Sequence, residues 1–371
     1  MKLLFYIHGI TGGGAERVMA TLMNSFIDKN YHVRVVYTSS TENSVYTLDS
    51  RIEEVFMLNN CRRKSSKLID KIYRKIWKYF AIRKEAKKYN PDFVISFIRR
   101  QNNDVLLSLL GSGFPVIVGD HTNVNRKYPF ITSTLTRILY PSACAITMLT
   151  KCDYNKWKDK YKHVYYIPNP CDLRINNNIS NREKIVLGVG RVNQWQIKGF
   201  DNLIKAWAVI KDKFPDWKCQ IAGLYSEESL TELKKQLNSD VFNSVEFIGF
   251  RTDIYEYMQS CEVFCLSSRF EGMPMALLEA LNLGCACVSF DCNTGPGEMI
   301  EHGVNGLLAK DQDVDDLTQK LEELISNESL RNKFHNTSPT SVQCFSTENI
   351  TTMWINMFYE LRKNIKNIKT F

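Results

Sequence analysis

Short apolar runs alternate along the chain with longer segments in which apolar residues recur every three or four positions. The chain opens with the run Lys2–Ile7, a turn of three glycines, a segment of helical spacing at 15–30 and a β-branched run at His32–Tyr37. The alternation continues through further apolar runs at Phe93–Phe97, 116–119 and 145–149. Apolar runs of this length, separated by helices, predict a parallel sheet that is covered on both faces.

The alternation restarts after residues 173–183, a polar, Asn-rich segment that is typical of a linker between domains. The predicted strands of the second half lie at 185–190, 218–223, 245–250, 263–268 and 285–290, and its clearest helices lie at 199–213, 274–283, 314–325 and 347–369. The prediction is therefore an α/β fold class, with doubly wound domains at 1–172 and 184–346 and a C-terminal helix at 347–371 that packs back on the first domain. Ligands bind such sheets at the carboxyl ends of the strands, so we expect a ligand site in a cleft between the domains.

Composition supports a soluble globular protein, because 44% of the 371 residues are hydrophobic and 24% are charged. Disordered, collagen-like and small disulfide-stapled proteins are excluded. The net charge of +8 is unevenly distributed: residues 1–180 hold 28 Lys and Arg against 14 Asp and Glu, a net of +14, and the remainder is acidic. Charge alone suggests a nucleic-acid-binding protein, but the chain contains no recognised nucleic-acid module.

The positive charge is concentrated between residues 61 and 88, which hold 12 basic residues and two acids. Apolar residues of the same stretch recur with helical spacing, among them Ile69, Ile76, Trp77 and Phe80, and the basic residues between them include Lys71, Arg74, Lys75 and Lys78. A basic amphipathic helix of this kind suits an anionic membrane surface. The alternative is a crossover helix whose apolar stripe packs on the first sheet and whose lysines are solvated. The sequence favours neither.

The eleven cysteines are scattered and contain no C-x-x-C pair, so they indicate free thiols in a reducing compartment. Cys285 and Cys287 alternate in an apolar run, which predicts one buried face of a strand. The apolar N-terminus is too short for a signal peptide, and no stretch reaches the length of a membrane span. The expected location is therefore cytoplasmic, and peripheral attachment to the inner face of the cell membrane follows if the basic helix binds lipid.

Three segments carry candidate chemistry, and each lies between a predicted strand and a helix. The glycines at positions 12–14 allow a close backbone approach to an anion at a helix start, or they simply form a tight turn. Arg191 and Lys198 place two cations at the mouth of a strand–helix loop, where they suit a diphosphate. Glu271 lies in the loop before a helix that begins near Pro274, and Glu279 lies on that helix.

Taken together, these segments resemble the GT-B glycosyltransferases of family 4, and the resemblance extends over essentially the whole chain. Its most specific part is the E-x7-E motif from Glu271 to Glu279, preceded at the family's spacing by Arg191 and Lys198. The resemblance implies two Rossmann-like domains that face each other across a cleft. It also implies transfer of a hexose or N-acetylhexosamine, with retained anomeric configuration, from a nucleotide sugar to a bacterial surface glycan such as O-antigen, lipopolysaccharide or capsule.

The resemblance also implies roles for individual residues. Arg191 and Lys198 would bind the donor diphosphate, Glu271 the sugar hydroxyls and Glu279 the ribose. The other donor-binding positions it implies are Gly13, Gly14, Gly272, Met273, Pro274, Met275, Phe250 and Arg251. His121 matches the family's histidine near the reacting sugar, as a positioning donor rather than a nucleophile, and its alternative is a structural residue at a strand end. The leaving phosphate would take the acceptor's proton, and neither cofactor nor metal is required.

Departures from the family pattern leave the donor open. Pro170 replaces a glycine of the family's Pro-Asn-Gly segment, and Leu224 and Tyr225 interrupt a glycine-rich motif that borders the nucleotide. The loop at 294–298 is similar to a variant found in transferases that use UDP-sugars, so a UDP donor is expected. The acidic segment at 311–316 suggests a metal site, but helix capping is the favoured interpretation. A sugar-nucleotide epimerase of the same fold is the alternative enzyme.

Overall fold

The computed structural model describes residues 1–10, 13–38, 46–57, 68–121, 128–172 and 182–369. The chain divides into two compact units, Met1–Pro170 with Thr347–Phe371, and Cys171–Ser346. The first boundary falls two residues before the predicted one, because Cys171 forms an isolated bridge with Ser346 and its amide donates to the carbonyl of Phe345 at 2.8 Å. Most of the predicted linker, residues 173–181, lies outside the described residues.

The first unit contains a seven-stranded sheet in which every strand pair is parallel. Its strands are β1 (Lys2–Ile7), β2 (His32–Tyr37), β3 (Glu53–Phe56), β4 (Phe93–Phe97), β5 (Val116–Asp120), β6 (Ala145–Met148) and β7 (Val164–Tyr166). Its helices are α1 (Gly14–Asp28), α2 (Leu68–Tyr89), α3 (Arg99–Leu109), α4 (Phe130–Leu139) and α5 (Lys151–Trp157), and the C-terminal helix spans Thr347–Lys369. The strand order β3-β2-β1-β4-β5-β6-β7 is doubly wound.

The two faces of this sheet are covered by different helices, because alternate side chains of a strand point to opposite faces. Leu4 and Tyr6 of β1 belong to a core cluster that includes apolar residues of α2, α3 and α4. Phe5 lies 6.2 Å, between ring centroids, from Phe26 of α1, and Phe26 in turn contacts Phe358 of the C-terminal helix at 5.5 Å. The C-terminal helix thus completes the core of the first unit.

The second unit repeats the architecture with six parallel strands. Its strands are β8 (Glu183–Val189), β9 (Lys218–Ala222), β10 (Glu246–Gly249), β11 (Cys261–Leu266), β12 (Ala286–Phe290) and β13 (Gly306–Ala309). Its helices are α6 (Trp195–Lys198), α7 (Phe200–Ile210), α8 (Glu227–Lys235), α9 (Ser239–Phe242), α10 (Ile254–Ser260), α11 (Met275–Asn282), α12 (Val314–Ser326) and α13 (Glu328–Ser341), which makes the C-terminal helix α14. The order β10-β9-β8-β11-β12-β13 is again doubly wound.

The predicted fold class is confirmed, since both units are parallel sheets covered by helices. The sequence pattern did not predict strands β3, β7 and β13, each of which is an edge strand of three or four residues. Cys285 and Cys287 are fully buried as predicted, although Cys285 lies just before β12 rather than in it. In the acidic segment, Asp313 caps α12 by accepting the amide of Asp316 at 3.0 Å, which confirms the capping interpretation.

Candidate active site

The loop that carries both predicted cations follows the first strand of the second unit. After β8 the chain passes through Gly190 and the exposed Arg191 into the short helix α6, which ends at Lys198. The Lys198 stem lies directly over Gly190, because a Cβ atom built there would be 3.3 Å from both Cγ and Cδ of Lys198. The lysine therefore returns to the carboxyl end of the strand from which the loop departs.

Lys198 and Glu271, which are 73 residues apart, form an ion pair in the structure. The Lys198 Nζ donates to Oε1 of Glu271 at 2.8 Å, and the hydroxyl of Ser268 donates to the same oxygen at 2.7 Å. The Lys198 side chain is 24% exposed and that of Glu271 is 10% exposed. This pair joins the two most specific segments of the sequence at one edge of the sheet, partly shielded from water.

A second loop holds the backbone around Glu271 in place. The hydroxyl of Thr294 donates to the Glu271 carbonyl at 2.6 Å. Gly295 has a φ of +99°, and a Cβ atom at this position would lie 2.6 Å from the carbonyl oxygen of Gly272 and 2.7 Å from Cδ of Pro274. Only glycine fits there, so the loop after β12 packs directly against the loop between β11 and α11.

The second glutamate of the motif is placed by helix α11. Pro274 is the N-cap of this helix, and Met275 is its first residue. Glu279 lies one turn further along and is only 6% exposed, with its Oε1 atom accepting from the hydroxyl of Tyr255 at 3.4 Å. Met273, before the helix, is 7% exposed. Glu271 and Glu279 thus occupy different environments, one paired with a lysine and the other beside a phenol.

Arg269 joins the loop after β11 to the segment after β8 that carries Lys198, a role that sequence reasoning missed. Its guanidinium donates two bonds of 2.7 Å to the carboxylate of Asp201 and a bond of 2.8 Å to the carbonyl of Gln196. Its amide donates to the carbonyl of Ile197 at 2.9 Å. The partners lie 68 to 73 residues from Arg269 in sequence, and no local pattern joins them.

Phe250 and Arg251, two of the donor-binding residues that the family resemblance implies, follow β10. The Phe250 side chain is 58% exposed. The guanidinium of Arg251 donates to both carboxylate oxygens of Asp253, at 2.9 and 2.7 Å, and this bonding raises the pKa of Arg251. The carboxyl ends of β9 and β10 lie close together here, because the amide of Gly223 donates to the carbonyl of Gly249 at 2.8 Å.

The glycine turn of the first unit is described from Gly13 onward, and Gly12 lies outside the described residues. Gly13 is the N-cap of α1, and Gly14 is the first residue of the helix. The Gly13 amide donates to the Glu16 carboxylate at 3.0 Å. A carboxylate at this position satisfies one of the free amides of the helix start. An anionic ligand that used the Gly13 amide would have to displace it.

His121 follows β5 and is held by its neighbours. Its ring stacks on Phe97 with a centroid distance of 3.8 Å, and a Cβ atom on Gly119 would approach both rings to within 2.9 Å. The preceding residue, Asp120, accepts from Nε of Arg99 at 3.0 Å instead of pairing with the histidine. Burial lowers the pKa of His121 to about 3. The imidazole is therefore neutral at physiological pH.

The basic segment forms helix α2 from residue 68 onward. Ile82, Ala86 and Tyr89 are buried in the core, and Trp77 packs against it. Ile69, Ile76 and Phe80, however, are exposed, at 71%, 51% and 70%. The helix therefore carries apolar residues on two faces, one that packs on the core and one that is exposed, so packing on the sheet accounts for only part of the apolar stripe.

The predicted membrane-binding residues on α2 differ in their exposure to solvent. Lys75 is exposed and Arg74 is half-buried, whereas Lys78 pairs with Asp104 at 2.5 Å. The side chain of Lys71 is outside the described part of the structure. Among the described helices, none combines the length and the apolar character that a membrane span requires.

Two family models divide the chain between them. The model described as Glycosyltransferase Family 4 matches residues 12–174, and the model described as Glycosyl transferases group 1 matches residues 172–340. The chain belongs to the glycosyltransferases. The E-x7-E segment and both cations of this glycosyltransferase lie within the second match.

Relatives of this glycosyltransferase extend along nearly its whole length. An uncharacterized glycosyltransferase of Haemophilus influenzae is 28% identical over 363 residues, which cover 95% of this chain and 98% of the relative. A GalNAc-α-(1→4)-GalNAc-α-(1→3)-diNAcBac-PP-undecaprenol α-1,4-N-acetyl-D-galactosaminyltransferase of Campylobacter jejuni is 28% identical over 366 residues, which cover 98% and 99%. Anabaena HepE in complex with UDP superposes with a TM-score of 0.76 at 18% identity, covering 97% of this chain and 100% of that one. The fold is GT-B.

Proposed function

We propose that this enzyme transfers a hexose or N-acetylhexosamine, with retention of anomeric configuration, from a UDP-sugar to a growing lipid-linked bacterial glycan. The observation that carries the proposal is the Lys198–Glu271 pair at the carboxyl end of the second sheet. A cation suits the diphosphate of a donor, and a carboxylate beside it suits the sugar hydroxyls. The names of relatives support the acceptor class, since the Campylobacter jejuni enzyme acts on an undecaprenol-linked glycan.

In this proposal the donor lies along the loops of the second unit. Arg191 and Lys198 bind the diphosphate, and Lys198 exchanges part of its bond with Glu271 for one with a phosphate oxygen. Glu271 then accepts from sugar hydroxyls, while the buried Glu279 binds the ribose. Backbone amides from Gly272 to Met275 line the sugar and phosphate. Phe250 and Arg251 contact the base, and HepE, a structural neighbour, binds UDP.

The chemical step breaks the bond between the sugar and the β-phosphate, so negative charge grows on that phosphate. Arg191 and Lys198 stabilise this charge, and their preorganisation by the fold lowers the barrier. The leaving phosphate takes the proton of the acceptor hydroxyl as the new bond forms on the same face. His121, neutral and stacked on Phe97, positions the sugar by hydrogen bonding and forms no covalent bond. No metal is used, so transfer should continue at full rate in EDTA.

On the acceptor side, we propose that helix α2 holds the enzyme at the cytoplasmic face of an anionic membrane. The exposed Lys75 and the three exposed apolar residues of the helix support this proposal. A lipid-linked acceptor has its sugar end at that surface, so attachment raises the local concentration of substrate. In this proposal the partner on the acceptor side is a membrane surface and not a nucleic acid.

Removal of either member of the central pair tests the proposed site. Lys198→Ala and Glu271→Ala should each lower transfer by at least about 10²–10³-fold while the melting temperature stays near that of the wild type. Lys213→Ala and Glu322→Ala are the matched controls, because they break an ion pair of the same 2.8 Å length on the exposed surface of the same unit. Full activity in either site variant would contradict the proposed site.

The assay should follow a panel of UDP-sugars by NMR, with and without a lipid-linked acceptor. NMR also reports the anomeric configuration of the product, and inversion would refute the retaining mechanism. Appearance of a second UDP-sugar without acceptor would instead identify an epimerase. Loss of transfer in both site variants, with unchanged controls and retained configuration, is the expected outcome.

A further inference from the structure

The ring of His121 is placed by residues of two neighbouring strands. Phe97, the last residue of β4, is paired in register with Gly119 of β5. Because Gly119 has no side chain, both rings lie over its backbone: a Cβ atom there would be 2.7 Å from Cδ1 of Phe97 and 2.9 Å from Nε2 of His121. The two rings stack at 3.8 Å between centroids, with 24° between their planes. The position of His121 therefore depends on that of Phe97.

Phe97 also contacts the C-terminal helix α14. Its ring centroid lies 5.9 Å from that of Trp354, and the two planes are tilted by 40°. Phe97 is 0% exposed and Trp354 is 2% exposed, so neither ring can move without displacing a close-packed neighbour. Trp354, Phe97 and His121, here called the aromatic triplet, thus connect helix α14 to the carboxyl end of the sheet.

The aromatic residues of α14 are matched to those of β4. Phe93 and Phe97 lie on the same face of the strand, because residues an even number of positions apart share a face. Phe358, one turn after Trp354 on the helix, stacks on Phe93 at 5.1 Å with 19° between the planes. Each phenylalanine of β4 is therefore covered by one aromatic residue of α14, and Trp354 covers the one that holds His121.

Hydrogen bonds to two other elements anchor helix α14. The hydroxyls of Thr351 and of Ser25 on α1 are 2.8 Å apart. The hydroxyl of Tyr165 on β7 donates to Oε1 of Glu360 at 2.9 Å. These bonds lie on either side of Trp354 in the helix, so they fix where its ring meets the sheet.

We propose that Trp354 is a positioning residue of the transferase, which acts through Phe97 to hold His121 for its contact with the sugar. The inference rests on the proposed function, in which His121 positions the donor sugar by hydrogen bonding. A smaller residue at position 354 leaves a cavity beside Phe97, and the surrounding side chains relax partly into it. His121 then loses the surface on which it stacks, and a displacement of about 1 Å near the reacting atoms can cost up to about 10²-fold in rate.

Turnover of the UDP-sugar, measured at a temperature where every variant is folded, tests this role. Trp354→Leu should lower kcat at least about tenfold, because His121 is displaced. The KM for the donor should stay within about twofold of the wild type, because the proposed donor contacts of the second unit are unchanged. Trp354→Phe keeps an aromatic ring against Phe97 and should recover most of the wild-type kcat.

Phe358→Leu is the matched control. Phe358 is 0% exposed on the same helix but stacks on Phe93 instead of Phe97. Like Trp354→Leu, it removes a buried ring and should lower the melting temperature. Its kcat should nevertheless stay within about twofold of the wild type, because His121 keeps its place.

The NMR signals of the His121 ring report its position without donor or acceptor. The Phe97 ring shifts these signals, which are identified by their loss in His121→Asn and by their change in Phe97→Leu. Trp354→Leu should move them towards their position in Phe97→Leu, whereas Phe358→Leu should leave them in place. If Trp354→Leu does not fold, Trp354→Met carries the same expectation, because methionine fills the space with a flexible side chain.

Unchanged His121 signals or an unchanged kcat in the Trp354 variant would each overturn the proposal, since Trp354 would then only pack in the core. An equal loss of kcat in Phe358→Leu would also overturn it, because the loss would then follow stability. Failure of the proposed function is detected separately: wild-type turnover in His121→Asn would contradict the role of His121 itself, whatever the signals show in the Trp354 variant.

Discussion

Gly199, between α6 and α7, offers a test of how the fold positions Lys198. Its φ of +61° lies in the left-handed region, and a Cβ atom built there would be 1.9 Å from the carbonyl oxygen of Ser267. Ordinary van der Waals contact requires at least 3.4 Å. Ser267 also binds the neighbouring residue, because its hydroxyl donates to the Lys198 carbonyl at 3.0 Å. Gly199→Ala therefore has to move the end of β11 or the turn that carries Lys198.

Gly303 provides a matched control, because its φ is +76° and a Cβ atom there would meet nothing within 4 Å. Gly303→Ala should lower the free energy of unfolding by about 1 kcal/mol, the left-handed penalty less the entropy that alanine removes from the unfolded chain. Gly199→Ala carries the same cost and adds a steric cost of about 2–3 kcal/mol, because the carbonyl it meets is backbone in a buried strand end. The expected total is about 3–4 kcal/mol.

Thermal unfolding followed by circular dichroism measures the difference. At about 2–4 °C per kcal/mol for a domain of this size, Gly303→Ala should melt about 2–4 °C below the wild type and Gly199→Ala about 10 °C below it. At a temperature where both variants are folded, Gly199→Ala should also lose at least about tenfold in kcat/KM, because Lys198 is displaced from the donor. Melting of the two variants within about 2 °C of each other would refute the close approach. A large loss of stability with unchanged turnover would refute the coupling to Lys198.

Three further predictions concern charged and titrating groups. Because the pKa of His121 is lowered from 6.5 to about 3, the unfolded chain takes up a proton before the folded protein does. As pH falls from 6.5 towards 3, the free energy of unfolding of the wild type should therefore drop relative to that of His121→Asn, by up to about 1.4 kcal/mol per pH unit. Urea denaturation measures both proteins, and an equal change in their stabilities between pH 7 and pH 5 would contradict this. Arg251→Ala should weaken UDP binding about fivefold, a modest loss expected of an exposed contact, and leave kcat nearly unchanged; calorimetry that finds wild-type affinity would exclude Arg251 from the base site. Burial alone would raise the pKa of Glu262, but hydrogen bonds from His335 and Arg331 outweigh burial and lower it. Glu262→Gln should therefore lower the free energy of unfolding by about 2 kcal/mol at pH 7, and this loss should shrink as pH falls through the pKa of the carboxylate. An equal loss at pH 3 would show that the charge of Glu262 is not the cause.

The interior strands were predictable because burial on both faces leaves a continuous apolar run in the sequence. Lys2–Ile7, His32–Tyr37 and Phe93–Phe97 have the predicted bounds, and most other interior strands differ by one or two residues. The edge strands β3, β7 and β13 could not be found in the same way. The residues of β3 and β7 are exposed or half-buried, so neither strand forms a buried apolar run. Strand β13 is apolar and largely buried, but it is only four residues long.

Helix α2 shows where periodicity reaches its limit. Its sequence contains apolar residues around much of the helix, and spacing alone left sheet packing and membrane binding equally open. In the structure the later part of the helix supplies the core through Ile82 and Ala86, while Ile76 and Phe80 face outward. Which side of a helix meets the sheet depends on where its neighbours lie, and that information is distributed over the whole unit.

The sequence by itself determined the fold class, the repetition of one sheet type in two units, and the residue types of the donor segments. These features are visible in the sequence because they depend on neighbouring residues or on the spacing of two residues. They are the strand–helix alternation, a lysine and a glutamate at family spacing, and a proline at a helix start. Tertiary structure alone decided that Lys198 meets Glu271, that Arg269 holds the two loops together through Asp201, and that burial keeps His121 neutral. These contacts join positions far apart in the chain. Their geometry arises only when parallel strands bring their carboxyl ends to one edge and the surrounding loops exclude water.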